Sequence, residues 1–323
     1  MAGLIEARGL TKVYGRGRSA KPAVDGVDLT VQQGDRYVLM GLSGSGKSTA
    51  LRMLNRLITP TTGQVCVDGQ DLTELNPKAL RELRNRRIAM VFQHFALFPH
   101  RSVRDNAAYG LHLRGTSRRE AADRAQQSLE LVGLGDWGDA RPGELSGGMK
   151  QRVGLARALS TDADILLMDE PFSALDPLIR REMQDLLLTL TIQLHRTVVF
   201  VTHDLNEAMR LGDTITLLTG GRVAQTGTTA EILARPASDY VRTFIQEVDR
   251  LRVLTVADVM TPAEQGGSVN GHRVSPEQTL YEASEQLSRD PATSLPVVSG
   301  DRVVGHLSTA NIVQAVVPER SAA

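Results

Sequence analysis

The sequence predicts an α/β protein with a mostly parallel central sheet, and three observations support this fold class. From Leu4 to about Ile245, short apolar runs alternate with longer amphipathic stretches, which is the pattern of strands joined by crossover helices. Four of the runs are apolar throughout, as strands covered on both faces are. One run leads directly into a glycine-rich loop and a helical stretch, which is the context of a phosphate-binding loop.

The four apolar runs are the predicted strands of the core sheet. They are YVLM at 37–40, ILLMD at 165–169, VVFVT at 198–202 and TITLL at 214–218. A helix is predicted between the second and third, because apolar residues recur there at helical spacing. These residues are Met183, Leu187, Leu190 and Leu194. We expect Asp176 to cap this helix and Pro177 to lie in its first turn.

A second, smaller unit is predicted to begin near Val253. The mixed segment 246–254 before it is interpreted as either a closing helix or a linker. Within the unit, Leu280, Ala283 and Leu287 predict a short helix, SLPVV and RVVGHL predict two strands, and TANIVQAV predicts another helix. The sequence therefore predicts one copy of a small α/β unit, followed by a tail at 319–323.

Length, charge and cysteine content limit the classes of protein to consider. The 323 residues are enough for one large and one small domain. Lys and Arg balance Asp and Glu at 37 each, so the net charge gives no sign of a nucleic-acid groove, and we expect no nucleic-acid partner. The single cysteine, Cys66, excludes a disulfide framework and indicates a reducing compartment. No stretch approaches the ~18 apolar residues of a membrane span, so we expect any membrane role to come through a partner.

The stretch GLSGSGKST at 41–49 matches the phosphate-loop pattern G-x-x-x-x-G-K-[ST] directly after the run YVLM. Its glycines allow backbone N–H groups to converge on phosphate oxygens, while Lys47 adds a positive charge and Ser48 a hydroxyl for Mg²⁺. The predicted nucleotide-binding residues of this loop are Gly41, Leu42, Ser43, Gly44, Ser45, Gly46, Lys47, Ser48 and Thr49.

Two adjacent carboxylates lie at the end of the run ILLMD. Asp169 is its last residue, and Glu170 follows directly. Asp169 is predicted to hold the Mg²⁺ shell, and Glu170 to act as general base toward an attacking water. Acidic residues that merely end a strand at the surface would give the same pattern. The interpretation therefore depends on the phosphate loop upstream.

A second glycine-rich turn, GELSGGMKQR at 143–152, enters a predicted helix and would present N–H groups to an anion. Its core, LSGGMKQR, resembles the signature sequence of ATP-binding-cassette (ABC) proteins, and the order of motifs over residues 4–245 is similar to that family. The resemblance implies that two cassettes face each other head to tail. Ser146, Gly147 and Gly148 of one chain would then close over the γ-phosphate bound by the other.

The same resemblance implies the architecture in more detail. It indicates a P-loop NTPase fold at 1–245, in which a mostly parallel core sheet is joined by an antiparallel β subdomain and a helical signature subdomain. The segment 255–318, with VADVMTP and GHLSTANI, resembles a single small α/β CBS domain. Asn311 stands where nucleotide-binding CBS domains usually carry an aspartate, which argues against tight adenosine binding there.

Four further residues receive roles from the resemblance. Tyr14 in KVYG is expected to stack on adenine, and Gln93 in VFQHF to join Ser48 and Asp169 around Mg²⁺ and water. His203 in VVFVTHD is expected to contact the γ-phosphate. Asp176 in SALD is expected to lie near the partner cassette as well as to cap its helix. Three of these residues have an alternative interpretation: Tyr14 would simply belong to a turn. In the same way, Gln93 would be an ordinary exposed glutamine and His203 a structural histidine.

Less universal stretches resemble the cassettes of glycine betaine/proline-type (quaternary amine) importers, which commonly carry a regulatory CBS domain. They are MLNRLITPTTG, VFQHFALFPHRSV, LSGGMKQRVGLARAL, DEPFSALDPLIRREMQ and THDLNEAMRLGD. This resemblance implies an ATPase that drives solute uptake, with ATP and Mg²⁺ as cofactors. Methionine or polar amino-acid importers are the nearest alternative, and a non-transport ABC clamp protein is a more distant one.

The partners implied by that resemblance are a second copy of the chain, a transmembrane permease and, indirectly, an extracytoplasmic solute-binding protein. The implied location is the cytoplasmic face of the inner (cell) membrane, with attachment through the permease.

Overall fold

The computed structural model describes residues 3–15, 20–246, 248–263, 273–289, 294–300 and 302–316. The chain divides into two compact units, one of Met1–Asp204 with Leu211–Thr226 and the other of Leu205–Arg210 with Gly227–Ala323. The predicted tail at 319–323 and the last two residues of the segment 255–318 lie outside the described residues. The division into domains at 1–245 and 255–318 stays a prediction.

The first unit contains a four-stranded antiparallel sheet in the order β2-β1-β4-β5. Its strands are β1 (Ile5–Tyr14), β2 (Lys21–Val31), β4 (Thr62–Val67) and β5 (Gln70–Asp71). Side chains that alternate along β1 and β2, among them Ile5, Ala7, Leu29 and Val31, are buried in the main apolar core. The antiparallel β subdomain that the family resemblance implies is therefore present.

The central sheet of this unit has six strands in the order β10-β9-β3-β8-β7-β6. They are β3 (Arg36–Met40), β6 (Ile88–Val91), β7 (Ile165–Asp169), β8 (Thr197–Thr202), β9 (Thr214–Thr219) and β10 (Arg222–Gly227). The five strands from β9 to β6 are parallel, and β7 and β8 are buried along their whole length. The four predicted strands are confirmed, and their carboxyl ends meet at one edge of the sheet, where ligands bind in such folds.

The helices of this unit flank the sheet or form a separate helical layer, in which α3, α4 and α5 pack on one another. They are α1 (Lys47–Leu54), α2 (Pro77–Arg87), α3 (Val103–Leu113), α4 (Arg118–Leu131), α5 (Gly147–Leu159) and α6 (Pro177–Leu194), with 3₁₀ turns at Gly135–Trp137 and Pro142–Glu144. The predicted start of α6 is confirmed, because the Asp176 side chain accepts a hydrogen bond from the Ile179 N–H and Pro177 is the first helical residue.

The second unit has short helices and a three-stranded antiparallel sheet in the order β11-β13-β12. Its strands are β11 (Thr261–Pro262), β12 (Ser294–Ser299) and β13 (Arg302–Ser308). Its helices are α8 (Thr229–Ala234), α9 (Asp239–Phe244), α10 (Arg250–Val253), α11 (Val256–Val259), α12 (Leu280–Arg289) and α13 (Thr309–Val316), and α7 (Leu205–Leu211) begins in it.

The secondary structure predicted for the small α/β unit is confirmed. Leu280, Ala283 and Leu287 are buried on one side of α12, and SLPVV and RVVGHL lie in β12 and β13. The segment 246–254 contains α10, which packs on α12 and α13. Within the ranges described above, no helix combines the length and the apolar character needed to cross a membrane.

Candidate active site

The turn between β3 and α1 forms a tight backbone cradle. Gly41, Gly44 and Gly46 have φ values of 145°, 80° and 99°, a region that L side chains rarely adopt. A Cβ atom at Gly41 would lie 2.2 Å from the Leu218 carbonyl oxygen, and one at Gly46 would lie 2.2 Å from that of Ala23. The glycines at 41 and 46 are therefore required by both backbone conformation and space.

Lys47, the first residue of α1, is buried beside this turn. Its Nζ donates hydrogen bonds to the carbonyl oxygens of Gly41 at 2.8 Å and Leu42 at 3.0 Å. Burial lowers the pKa of the ammonium group, while the charges of Glu170 and Asp169 oppose that shift. Two carboxylates from the end of β7 thus act electrostatically on the lysine of the loop.

Asp169 is the last residue of β7, and its side chain is only 2% exposed. Its Oδ2 accepts hydrogen bonds from Arg52 Nε at 3.0 Å and pairs with Arg52 Nη2 at 2.8 Å. Among the residues that the structure describes, Oδ1 has no hydrogen-bond partner although it is buried. A buried carboxylate oxygen of this kind is suited to a cation or to a water bound by one.

Glu170 has a backbone φ of 45°, which is strained for a residue with a Cβ atom. Its N–H donates to the Val201 carbonyl oxygen of β8 at 3.2 Å, which ties the strained residue to the neighbouring strand. His203 Nδ1 lies 3.3 Å from Glu170 Oε2, and the imidazole is largely exposed. The structure therefore brings together the predicted base and the histidine predicted to contact the γ-phosphate, at the ends of β7 and β8.

Gln93, which follows β6, is connected to Glu170 through one serine. Gln93 Nε2 donates to Ser173 Oγ at 3.3 Å, and Ser173 Oγ donates to the Glu170 carbonyl oxygen at 3.0 Å. The predicted metal-associated glutamine, the segment SALD and the base thus form a continuous hydrogen-bonded path.

Ser146 caps the N-terminus of α5, where its Oγ accepts from the Met149 N–H at 3.3 Å. Ser146 and Gly147 are exposed, and a Cβ atom at Gly147 would have open space around it. In the described ranges, no hydrogen bond joins residues 146–148 to the loop at 41–49 of the same chain. The second cradle is thus available to a ligand outside its own phosphate loop.

Tyr14 and Asp176 occupy exposed positions at the ends of secondary-structure elements. Tyr14 ends β1 with 47% exposure, and Lys12 Nζ lies 5.4 Å from its ring centroid. Asp176 is exposed and caps α6, as predicted. Neither position conflicts with a role in nucleotide or partner binding, which for both residues stays a prediction.

Three arginines for which the sequence motifs predict no role support these motifs. Arg52 binds Asp169. Arg157 donates to the carbonyl oxygens of Ala96 at 2.6 Å and Phe95 at 2.9 Å, just after Gln93. Arg180 donates to the Leu175 carbonyl oxygen at 3.2 Å and pairs with Asp204 at 3.4 Å. Their partners are far away in sequence or are backbone carbonyls. No spacing rule for short motifs identifies such pairs.

Comparison with known proteins decides which family has this arrangement. A family model described as ABC transporter matches residues 24–173. The trimethylamine N-oxide transport system ATP-binding protein TmoW of Ruegeria pomeroyi is 43% identical over 323 residues, covering 94% of this chain and 94% of that protein. The chain belongs to the ABC transporter family. The membership predicted from LSGGMKQR and the phosphate loop is confirmed.

The ABC cassette fold predicted for the chain is also confirmed. A solved dimeric structure of the ATP-binding cassette MJ0796, bound to ADP and Pi, is 34% identical with a TM-score of 0.65. The match covers 70% of this chain and 98% of the MJ0796 chain.

Among ABC proteins, the resemblance to quaternary amine importer cassettes is supported as well. The glycine betaine/carnitine transport ATP-binding protein GbuA of Listeria monocytogenes is 53% identical over 241 residues, which is 75% of this chain. The chain spans 61% of the length of GbuA.

Proposed function

We propose that this chain is the ATP-hydrolysing subunit of an ABC importer for quaternary amine solutes. The observation that carries the proposal is the meeting of Lys47, Asp169, Glu170 and His203 at one edge of the parallel sheet. In this set, Lys47 is a cation that can bind phosphate and Asp169 is a carboxylate that can bind a metal. Glu170 and His203 form a carboxylate–imidazole pair that can act on water. Hydrolytic phosphoryl transfer uses these groups together.

Glu170 is the proposed general base. It accepts a proton from water, whose oxygen attacks the γ-phosphorus while the bond from phosphorus to the β–γ bridging oxygen breaks, giving ADP and phosphate. His203 Nδ1 lies 3.3 Å from Oε2 of this carboxylate, and its proposed role is to hold the carboxylate in place and to donate to a γ-phosphate oxygen. Lys47 would exchange its hydrogen bonds to two loop carbonyl oxygens for hydrogen bonds to phosphate oxygens. The latter are stronger, because donor and acceptor are both charged.

The residues around Asp169 fit a magnesium ion. Asp169 Oδ1 is buried without a partner in the described part of the chain, and so is the hydroxyl of Ser45 in the loop itself. Ser48, Gln93 and Asp169 are the proposed protein groups around the ion, which when bound would neutralise charge on the β- and γ-phosphates. The described residues contain no cluster of three or more His, Cys, Asp or Glu side chains that could hold a metal. Most of the remaining ligands would therefore be phosphate oxygens and water.

The proposed active form is a head-to-tail dimer. In the described part of the chain, Ser146, Gly147 and Gly148 make no hydrogen bond to the phosphate loop of their own chain. Ser146 and Gly147 are exposed, which leaves the N-terminus of α5 free to meet the γ-phosphate in a second copy. The lysine missing from this second cradle is supplied by Lys47 of the opposite chain. The dimeric form of the MJ0796 cassette supports this arrangement.

The cargo class is inferred from the named relatives. GbuA is a glycine betaine/carnitine transport protein and TmoW a trimethylamine N-oxide transport protein, so both names specify small, highly methylated amines. The match to TmoW extends over 94% of each chain, which makes trimethylamine N-oxide a specific second candidate beside glycine betaine.

The remaining partners follow from this assignment. A transmembrane permease would anchor the chain at the cytoplasmic face of the cell membrane, and an extracytoplasmic binding protein would deliver the solute to that permease.

The segment 255–318 is proposed as a CBS-like regulatory domain. Asn311 Oδ1 accepts from Ser308 N at 2.9 Å and from Ser308 Oγ at 2.6 Å, so its oxygen is used in capping α13.

Reconstitution of the full-length chain with its permease and binding protein tests the proposal. We expect ATP hydrolysis that requires Mg²⁺ and is stimulated by glycine betaine or trimethylamine N-oxide, with no stimulation by methionine. Stimulation by methionine alone would favour the amino-acid importer alternative. Absence of Mg²⁺-dependent hydrolysis in a folded complex would contradict the proposal.

A further inference from the structure

The two carboxylate oxygens of Asp169 lie in different environments. Oδ2 accepts from Arg52 Nε at 3.0 Å and lies 2.8 Å from Arg52 Nη2, so the two nitrogens of one guanidinium converge on a single oxygen. Oδ1 is buried and, within the described residues, has no hydrogen-bond partner. One oxygen is thus held by the protein, and the other is free to serve a ligand.

This asymmetry fixes the orientation of the carboxylate. An aspartate without such a partner can rotate about its Cβ–Cγ bond and exchange its two oxygens. A planar guanidinium whose two nitrogens lie close to one oxygen opposes that rotation. Groups that orient a metal-associated side chain in this way raise metal affinity without contacting the metal.

The position of Arg52 in α1 links the pair to the metal site. Ser48, the proposed hydroxyl ligand, and Arg52 are four residues apart in this helix, so they lie on the same face one turn apart. Asp169 ends β7, which is a different element. The Arg52–Asp169 pair therefore holds the carboxylate against the face of α1 that carries Ser48.

We propose that Arg52 is a positioning residue for the metal: by binding Oδ2 of Asp169, it presents Oδ1 to the Mg²⁺ shell. This role rests on the proposed function. If Arg52 acted through its charge alone, it would lower the affinity for Mg²⁺, because a nearby cation repels the ion. The Arg52 side chain is 45% exposed, so solvent screens its charge, and its orienting effect on Asp169 outweighs the repulsion.

The test measures metal binding rather than turnover. Mn²⁺ binding to the full-length protein is titrated by electron paramagnetic resonance in the presence of the non-hydrolysable analogue AMP-PNP. We expect Arg52→Gln to weaken Mn²⁺ binding roughly 10-fold. Binding of AMP-PNP in EDTA should stay as in the wild type, because in the described part of the chain the Arg52 side chain makes its hydrogen bond and ion pair with Asp169 and none with residues 41–49. Arg52→Lys, which keeps the charge with a single donor nitrogen, should give an intermediate Mn²⁺ affinity.

Two further variants show whether the effect passes through Asp169. Arg8→Gln removes an exposed arginine that pairs with Glu6 at 2.7 Å, and it should leave Mn²⁺ binding unchanged. Asp169→Asn should weaken Mn²⁺ binding by itself, and adding Arg52→Gln to it should cause no further loss, because the two changes remove the same interaction.

Unchanged or tighter Mn²⁺ binding in Arg52→Gln would overturn the role of Arg52, and so would additive losses in the double variant. If wild-type protein bound AMP-PNP but no Mn²⁺, the proposed ATPase would fail together with this inference. A wild type that binds Mn²⁺ beside an unaffected Arg52→Gln variant would overturn the positioning role alone. Thermal unfolding of each variant shows that the comparison is between folded proteins.

Discussion

Nδ1 of His203 lies 3.3 Å from Oε2 of Glu170, so the histidine after β8 orients the carboxylate that follows β7. Glu170 itself has a φ of 45°, and its N–H is tied to the Val201 carbonyl of the neighbouring strand. The strained backbone and the histidine together determine where this carboxylate points. If Glu170 is the general base, the contact with His203 and the backbone hydrogen bond to Val201 both serve catalysis.

Glu170→Gln should retain ATP binding and dimerisation but lose turnover. The amide keeps the size and the hydrogen-bonding reach of the carboxylate, but it cannot accept a proton from water at neutral pH. We expect the hydrolysis rate to fall at least about 100-fold, measured as phosphate release. Size-exclusion chromatography with ATP serves as the control for dimer formation. Near-normal phosphate release would remove Glu170 as the base.

The two glycine-rich turns should respond differently to alanine. At Gly46 a Cβ atom would lie 2.2 Å from the Ala23 carbonyl oxygen, and the φ of 99° adds strain, so Gly46→Ala should lower both the stability and the nucleotide affinity of the single chain. Gly147 has open space and no unusual φ. Gly147→Ala should therefore unfold at the wild-type temperature and bind nucleotide normally.

The same Gly147→Ala variant should nevertheless hydrolyse ATP poorly, because the added methyl group lies at the N-terminus that faces the γ-phosphate of a second copy. Melting temperature, nucleotide affinity and phosphate release are measured on both variants. Full activity of Gly147→Ala, or loss of its monomeric nucleotide binding, would disagree with the assignment of this turn to the partner's site.

Tyr14→Ala should weaken ATP binding without changing the fold. The ring is exposed at the end of β1, and stacking of a base on an aromatic side chain contributes roughly 1–3 kcal/mol in single-strand binders, which corresponds to a loss of about 5-fold to about 150-fold in affinity. Tyr14→Phe keeps the ring and is the matched control. Equal ATP affinities for the alanine and phenylalanine variants would show that Tyr14 does not stack on adenine.

Tyr37 gives a prediction about stability at alkaline pH. Burial raises the pKa of its phenol, although hydrogen bonds to Thr216 and Thr226 oppose the shift. The unfolded chain loses this proton at a lower pH than the folded protein does, so the free energy of unfolding should fall as the pH rises above about 10. Tyr37→Phe should remove that part of the fall, as measured by urea unfolding between about pH 9 and about pH 11. A fall of the same slope in Tyr37→Phe would show that another group causes it.

The sequence allowed the parallel sheet to be predicted because its central strands are covered on both faces and are therefore apolar throughout, as β7 and β8 are. The phosphate loop was predictable for a similar reason, since its backbone conformation excludes side chains at Gly41 and Gly46. In both cases a local physical requirement restricts the residue type. Such requirements are visible without knowledge of the fold.

The supporting arginines could not be predicted in that way. Arg52 and Asp169 are 117 positions apart, and no local pattern connects them. Arg157 binds backbone carbonyls, which every residue has, so the sequence of its partners carries no signal. Only the assembled sheet and helices place these side chains beside the motifs that they support.

The central claim is that each phosphate loop is completed by residues 146–148 of a second copy, and mixed dimers test it most directly. Lys47→Ala and Ser146→Arg should each abolish hydrolysis when studied alone. An equimolar mixture should recover roughly a quarter of the wild-type rate, because half of the dimers are mixed and each of these holds one intact site. Wild-type hydrolysis by Ser146→Arg alone, or no recovery from mixtures proven to contain mixed dimers, would contradict the claim.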